Sequence, residues 1–403
     1  MTHGRPHLRT LGRLACMFAA AALLVTLTAC STLPMWMVLQ GRSAITDHRH
    51  FDEMTLQRAA LGSPLPAAPV ALRWPAGLDT AAAESDIAQR GTVALLVLRR
   101  GQRVYERYFN GYDANSITTS FSIAKSVVSV LLGIAIDDGR ISGVDEPITR
   151  TLPELLAQDA AFGRITLRHL LLMRSGIRFD EGYGSPFSEA ARFYLSPDLK
   201  AEVSRLRVES APGQALAYKS GDTQLLAMAI ERAVGQPLAV YAQQRLWQPL
   251  GAAHDASWSL DSQAGGVARA FCCLNARALD FLRFGQMVLG QGQIDGRRIV
   301  SAQWLRDSTA AAADLPGASA DARRNVERSG QPGAAFYAWQ WRRRPLPAGG
   351  GELQPGAMVY AQGLYGQILL IDPDSQTVVL RLGQRTGDRH WPGWMDALVR
   401  LNP

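Results

Sequence analysis

The stretch best equipped for chemistry is Thr119-Ser120-Phe121-Ser122-Ile123-Ala124-Lys125, where a hydroxyl and an amine stand three positions apart at the start of an apolar run. One turn of helix puts such a pair on the same face. A serine hydroxyl is a weak nucleophile until a neighbour takes its proton, and a desolvated lysine can be that neighbour. The spacing therefore points to Ser122 as a nucleophile and Lys125 as its proton partner. The plain alternative is a surface lysine near a helix start. Composition weighs against it: Lys+Arg total 42, yet only Lys125, Lys200 and Lys219 are lysine, and there is a single Ser-x-x-Lys match. Arginine cannot give up its proton in a protein, whereas lysine can. A chain that writes nearly every cation as Arg keeps a lysine where a titratable amine is useful.

The elements around this pair follow from pattern. Residues 123–136 are apolar on nearly every side, with Gly139 as a stop, which predicts a buried helix. Residues 92–99 and 103–109 form a hairpin signal joined at Gly101-Gln102. Between 149 and 332 helical segments recur, at 167–173, 222–234, 238–247, 277–289 and 302–313, and 314–333 has the composition of a surface loop. Strand patterns return at 337–342, and at 366–371 and 377–382 around Asp372-Pro373-Asp374. A last amphipathic helix, 395–401, closes the chain. The expected fold is α/β (α+β): an antiparallel sheet built from N- and C-terminal strands, flanked by helices, with an inserted mostly helical domain. The expected division is a leader at 1–29, a tether and extension at 30–77, a sheet domain at 78–148 with 333–403, and the helical insertion at 149–332. A ligand cleft belongs at the join.

The N-terminus addresses the protein elsewhere. Arg5, Arg9 and Arg13 precede an uncharged apolar run at 14–27, too short to span a bilayer comfortably, and then Leu27-Thr28-Ala29-Cys30. This resembles a bacterial lipoprotein signal, which implies cleavage before Cys30 and lipid on that cysteine. Ser31, rather than Asp, after the cysteine leans toward the outer membrane of a Gram-negative cell. Loss of the leader takes the net charge from +7 to +4, and no basic run is interleaved with aromatics, so no nucleic-acid partner is expected. The adjacent Cys272-Cys273 pair reads as small buried side chains rather than a strained ring. The seven histidines are scattered without metal-ligand spacing, so no metal or cofactor is expected. The expected protein is a monomer.

Ser122-x-x-Lys125 is followed by Tyr218-Lys219-Ser220-Gly221-Asp222 ahead of a helix, and by Gly363-Leu364-Tyr365-Gly366-Gln367 leading into a strand. Three such elements in this order resemble the β-lactamase and penicillin-binding protein superfamily. The nearest likeness is to the class C-like branch that holds family VIII esterases and 6-aminohexanoate-dimer hydrolase, and it runs from about residue 90 to the C-terminus. The run ending Asp180-Glu181-Gly182-Tyr183 is similar to the dimer hydrolase. The resemblance implies an acyl-enzyme on Ser122, with Lys125 and Tyr218 sharing the proton. It implies an oxyanion site made by the N–H groups of Ser122 and Leu364, with Gly363 beside them and Ser220 and Tyr183 facing the substrate. Tyr183 would be a lid or hydrogen-bond donor, or else a loop aromatic packed on the surface. Ser220 stands where Asn is usual, and the third element lacks Lys-Thr-Gly, the family's cation for penicillin and peptidoglycan carboxylates; Arg385-Thr386-Gly387 falls in a turn past the last strand. A small-molecule ester or amide is therefore the expected substrate. The alternatives are a penicillin-binding D,D-peptidase or β-lactamase, and a catalytically idle envelope lipoprotein.

Overall fold

Runs of Val, Leu and Ile near the two ends of the chain pair into the largest sheet of the computed structural model, which describes residues 37, 40, 42–183, 185–310, 336–347 and 353–403. The leader, Cys30 and the loop at 314–333 lie outside the described residues. In chain order the strands are β1 (Glu53–Leu56), β2 (Thr92–Arg99), β3 (Gln102–Tyr108), β4 (Ile117–Thr119), β5 (Ala256–Ser259), β6 (Leu274–Arg277), β7 (Gln293–Ile294), β8 (Arg297–Arg298), β9 (Phe336–Tyr337), β10 (Arg342–Pro347), β11 (Leu353–Gly363), β12 (Gln367–Asp372) and β13 (Thr377–Gly383). The main sheet is antiparallel with the order β3-β2-β13-β12-β11-β10-β9. The N-terminal hairpin joins the C-terminal one where β2 pairs with β13, Leu96 opposite Leu380. A second sheet runs β1-β5-β6-β4, and β7-β8 is a separate hairpin.

Both faces of the main sheet are covered, which is why β2 and β12 read as continuous apolar runs instead of alternating ones. On one face Leu95, Val97, Ile368, Leu370 and Val379 pack with Ile87 of helix α1 (Thr80–Gln89) and with Trp391, Met395 and Leu398 of the C-terminal helix Trp391–Leu401. The other face meets α2 (Ile123–Asp137) and the helix Ala278–Leu289. That helix lies so close that a Cβ on Gly285 would stand 2.6 Å from Val378 Cγ1. Helix α2 is buried continuously from Ile123 to Ala135. Burying each of its Val, Leu and Ile side chains contributes about 1.5–3 kcal/mol, which fixes the helix in the core.

The structure departs from the sequence pattern in four places. Residues 337–342 are two strands, not one, because a tight reversal at 338–341 is buried and Trp341 stacks on Phe284 at 6.2 Å. The extension before residue 78 is part of the body: β1 pairs with β5, Leu72 and Trp74 join the core, and the compact unit runs Ala44–Pro403. The region 149–332 is not purely helical, since β6 within it pairs with β4 outside it, so the two expected domains share a sheet. Strands of three or four residues carry too few alternations to be seen in sequence. Finally, Cys272 and Cys273 are joined in a disulfide rather than being free thiols. Among the described residues no helix is long and apolar enough to cross a membrane, and no group of three or more His, Cys, Asp or Glu could hold a metal ion.

Candidate active site

Ser122 is delivered by a strand, a strained residue and a helix start. After β4 the Ser120 N–H donates to Leu274 O at 2.8 Å, and Phe121 then adopts a left-handed φ of 44°. A non-glycine residue held there costs about 1–3 kcal/mol and persists only where its surroundings impose it. Helix α2 opens with tight i→i−3 bonds, Ala124 N–H to Phe121 O at 3.0 Å and Lys125 N–H to Ser122 O at 3.2 Å. Ser122 occupies the N-cap, where a serine normally uses its oxygen to accept a backbone N–H. Here its side chain makes no capping bond, so the hydroxyl is left for other work.

Lys125 is buried, and its amine is saturated by acceptors, as a buried cation must be. Nζ donates to Ser122 Oγ at 3.3 Å, to Ser220 Oγ at 3.0 Å and to the Phe271 carbonyl at 2.8 Å. The ring of Tyr218 lies 5.2 Å from Nζ. The network continues through Ser220, whose Oγ donates to Glu181 Oε1 at 2.7 Å and whose N–H donates to Oε2 at 2.6 Å. Burial pushes the Glu181 carboxyl up, against the opposing pull of the Lys125 charge and of the Ser220 bonds. Tyr183 is 43% exposed as a residue, yet desolvation of its phenol, with the Glu181 charge, drives it well up.

Tyr218, Lys219 and Ser220 part ways at the start of the helix Ser220–Val234. Tyr218 turns to the site and packs edge-on to Tyr337 at 5.9 Å. Lys219 points away, donating to Ile177 O at 2.8 Å, and the next acid, Asp222, accepts from Ser175 Oγ at 2.7 Å. Burial pushes Asp222 up to about 7, against the Lys219 charge. This second buried lysine therefore braces the loop at 175–177 rather than serving the reaction.

The third element closes the site through its backbone. A Cβ on Gly363 would stand 2.6 Å from Ser120 O and 3.0 Å from Ser122 N, so only glycine lets β11 lie against the Ser120–Ser122 turn. Leu364 follows at once in a short 3-10 turn, Leu364–Gly366, with Tyr365 at φ 61° packing edge-on to Phe121 at 5.6 Å. Buried Arg381 pins the turn, donating to Tyr365 O at 3.1 Å and Gly366 O at 2.6 Å, while Gln367 Nε2 donates to Leu364 O at 3.1 Å. Ser122, Lys125, Tyr218, Ser220, Tyr183, Gly363 and Leu364 are thus brought to one place. Sequence reasoning did not single out Glu181, the Phe271 carbonyl or Arg342, whose guanidinium carbon lies 4.9 Å from the Tyr218 ring. An acid two positions before Tyr183 was a signal for the first; a backbone carbonyl leaves none.

The sequence model of the Beta-lactamase family matches residues 79–394. The chain belongs to the Beta-lactamase family. It is 28% identical over 366 residues to the 6-aminohexanoate-dimer hydrolase of Paenarthrobacter ureafaciens, spanning 85% of this chain and 88% of the relative. With esterase EstB of Burkholderia gladioli it shares 29% identity over 207 residues, 46% of this chain and 51% of that one. Among solved structures, a Bacillus anthracis protein provisionally named as a 6-aminohexanoate-dimer hydrolase superposes with a TM-score of 0.74 at 21% identity, covering 89% of this chain and 92% of that one. A class C β-lactamase variant superposes at 0.56 with 14% identity, over 79% and 94% of the two chains. This Beta-lactamase-family protein is a serine hydrolase with the β-lactamase/transpeptidase-like fold.

Proposed function

We propose that the protein is an envelope lipoprotein that hydrolyses a small carboxylic ester or amide through an acyl-enzyme on Ser122. The observation that carries this reading is the 3.3 Å approach of Lys125 Nζ to a Ser122 hydroxyl that caps nothing. In the step that forms the acyl-enzyme, Ser122 Oγ bonds to the acyl carbon and its proton passes to the Lys125–Tyr218 pair. The oxyanion faces the N–H groups of Ser122 and Leu364, each such donor being worth roughly 2.7–4 kcal/mol. The pair returns the proton to the leaving group as its bond breaks, and then takes one from the water that frees the acid. Relatives named for the 6-aminohexanoate dimer and for esterase activity support this substrate class. The absence of any cationic side chain in Gly363-Leu364-Tyr365-Gly366 supports it over penicillins.

The leader-like segment 1–29, followed by Cys30, supports a lipid anchor facing the periplasm. The Cys272–Cys273 disulfide fits that address, because disulfides persist in oxidising compartments and are kept reduced in the cytosol.

A fluorophosphonate probe should label the wild-type protein and not Ser122→Ala, and the same substitution should abolish turnover of p-nitrophenyl esters. Lys125→Arg should be nearly as inactive, since Arg keeps the charge but accepts no proton. Labelling of Ser122→Ala, or appreciable ester turnover by Lys125→Arg, would remove these roles. Strong labelling by a fluorescent penicillin, blocked by the fluorophosphonate, would instead support a D,D-peptidase.

A further inference from the structure

The third element brings no cation to the site, yet the structure supplies one from another strand. Arg342 opens β10, paired with Tyr337 on one side and Tyr360 on the other. Its Cζ lies 4.9 Å from the Tyr218 ring centroid and 5.4 Å from that of Tyr337. Lys125 Nζ lies 5.2 Å from the same Tyr218 ring, so two cations flank one phenol.

The placement of Arg342 is rigid. The reversal before it is fixed by Gln340, whose carbonyl accepts from Ser126 Oγ at 2.6 Å and whose Oε1 accepts from Thr223 Oγ1 at 3.0 Å and from Tyr337 Oη at 3.1 Å. Gln340 Nε2 donates in turn to Leu170 O and Leu171 O. Trp341 is fully buried beside it. A half-buried guanidinium normally finds a carboxylate. Among the described residues none forms an ion pair with Arg342, and Glu181 feels its charge only at longer range. The group within reach is Tyr218, whose ring lies 4.9 Å from Arg342 Cζ and 5.2 Å from Lys125 Nζ.

We propose that Arg342 is a positioning residue of the hydrolase, holding the Tyr218 hydroxyl and stabilising the negative charge its oxygen gains as the proton moves. This rests on Tyr218 being a proton carrier. Arg342 exchanges no proton itself: the Ser122 proton leaves as the Oγ–acyl bond forms, passes through Lys125 and Tyr218, and ends on the leaving group as its bond breaks. The other groups around Tyr218 are Lys125 from α2, Tyr337 from β9, and Tyr183 from the loop before residue 184.

The test uses the purified protein with an uncharged ester, p-nitrophenyl butyrate, and a carboxylated one, p-nitrophenyl hemisuccinate. Arg342→Gln should lower kcat about 10- to 100-fold on both esters, with KM within about twofold, the size expected for losing a charge beside a group that changes charge in the reaction. Arg342→Lys should restore most of the rate. In a Tyr218→Phe background Arg342→Gln should cost nothing further, because the two act as one unit. Wild-type kcat in Arg342→Gln overturns the proposal. So does a rise in KM confined to the hemisuccinate, which would make Arg342 a carboxylate subsite, and so do losses that multiply with Tyr218→Phe. An active Tyr218→Phe single variant fails differently: it removes the role of Tyr218 beneath the proposal. Should Arg342→Gln not fold, Arg342→Met, which keeps the stem against both rings, takes its place with the same expectations.

Discussion

Glu181 shows how a site residue is made by what surrounds it. Its carboxylate accepts both the N–H and the hydroxyl of Ser220, the residue that in turn accepts from Lys125. Burial raises its proton affinity, and the Lys125 charge and two hydrogen bonds only partly offset that. The carboxylate form is therefore lost, as pH falls, at a higher pH than the ordinary value near 4.3. Activity should decline on the acid side with a midpoint above that value, as protonated Glu181 can no longer accept from both Ser220 groups. In Glu181→Gln that limb should vanish from the kcat/KM profile, with activity at pH 8 already about tenfold down. An acid limb unchanged by the substitution would show that another group sets it. Ser122 and Lys125 were legible in the sequence because one helical turn joins them. Glu181 and Ser220 meet across 39 positions, and nothing in local spacing announces such a pair.

At the scale of elements, the long uninterrupted patterns were legible and the short or reversed ones were not. The hairpins β2-β3 and β12-β13 and helix α2 carry enough residues to display a period. β4, β5 and β6 do not, and the turn at 338–341 mimics a continuing strand because Ala338, Trp339 and Trp341 are as apolar as a strand's residues. That turn is what aims Arg342, so the missed residue follows from the missed element. Two glycines separate local geometry from function. Gly139 ends the α2 region at φ 68° with open space where a Cβ would go, so Gly139→Ala should cost about 1 kcal/mol of stability and leave kcat alone. Gly363 has an ordinary φ of −118°, but its Cβ would press on Ser120, Phe121 and Ser122. Gly363→Ala should lower kcat by about 100-fold with a much smaller effect on melting, because it moves the nucleophile relative to Leu364. The helix Ser220–Val234 adds a pH-dependent stability. Asp222 has an ordinary value of 3.8 and is raised to about 7 in the fold, so the folded state holds more protons between those values. Stability contributed by this site therefore falls as pH rises from about 4 to about 7. Urea midpoints at pH 5 and pH 8 should differ less in Asp222→Asn than in the wild type; equal differences would exclude Asp222 as the source.

At the scale of the whole molecule, the compact unit beginning at Ala44 contains every residue of the proposed site. Cys30 and the proposed leader precede it, so on that proposal address and chemistry are written in separate parts of the chain. If Cys30 carries lipid, the 14 residues from it to Ser43 separate the anchor from the compact unit along the chain. A single lipid-bearing cysteine would then decide location without touching the reaction. Cys30→Ser should leave the protein in the soluble fraction, or unprocessed with its leader in the inner membrane, while the wild type sediments with outer membranes. Ester turnover by the detergent-extracted wild type and by the variant freed of its leader should agree in both kcat and KM. Wild-type protein in the soluble fraction would remove the lipid anchor. A variant that changes kcat would instead mean that the N-terminal segment takes part in the site.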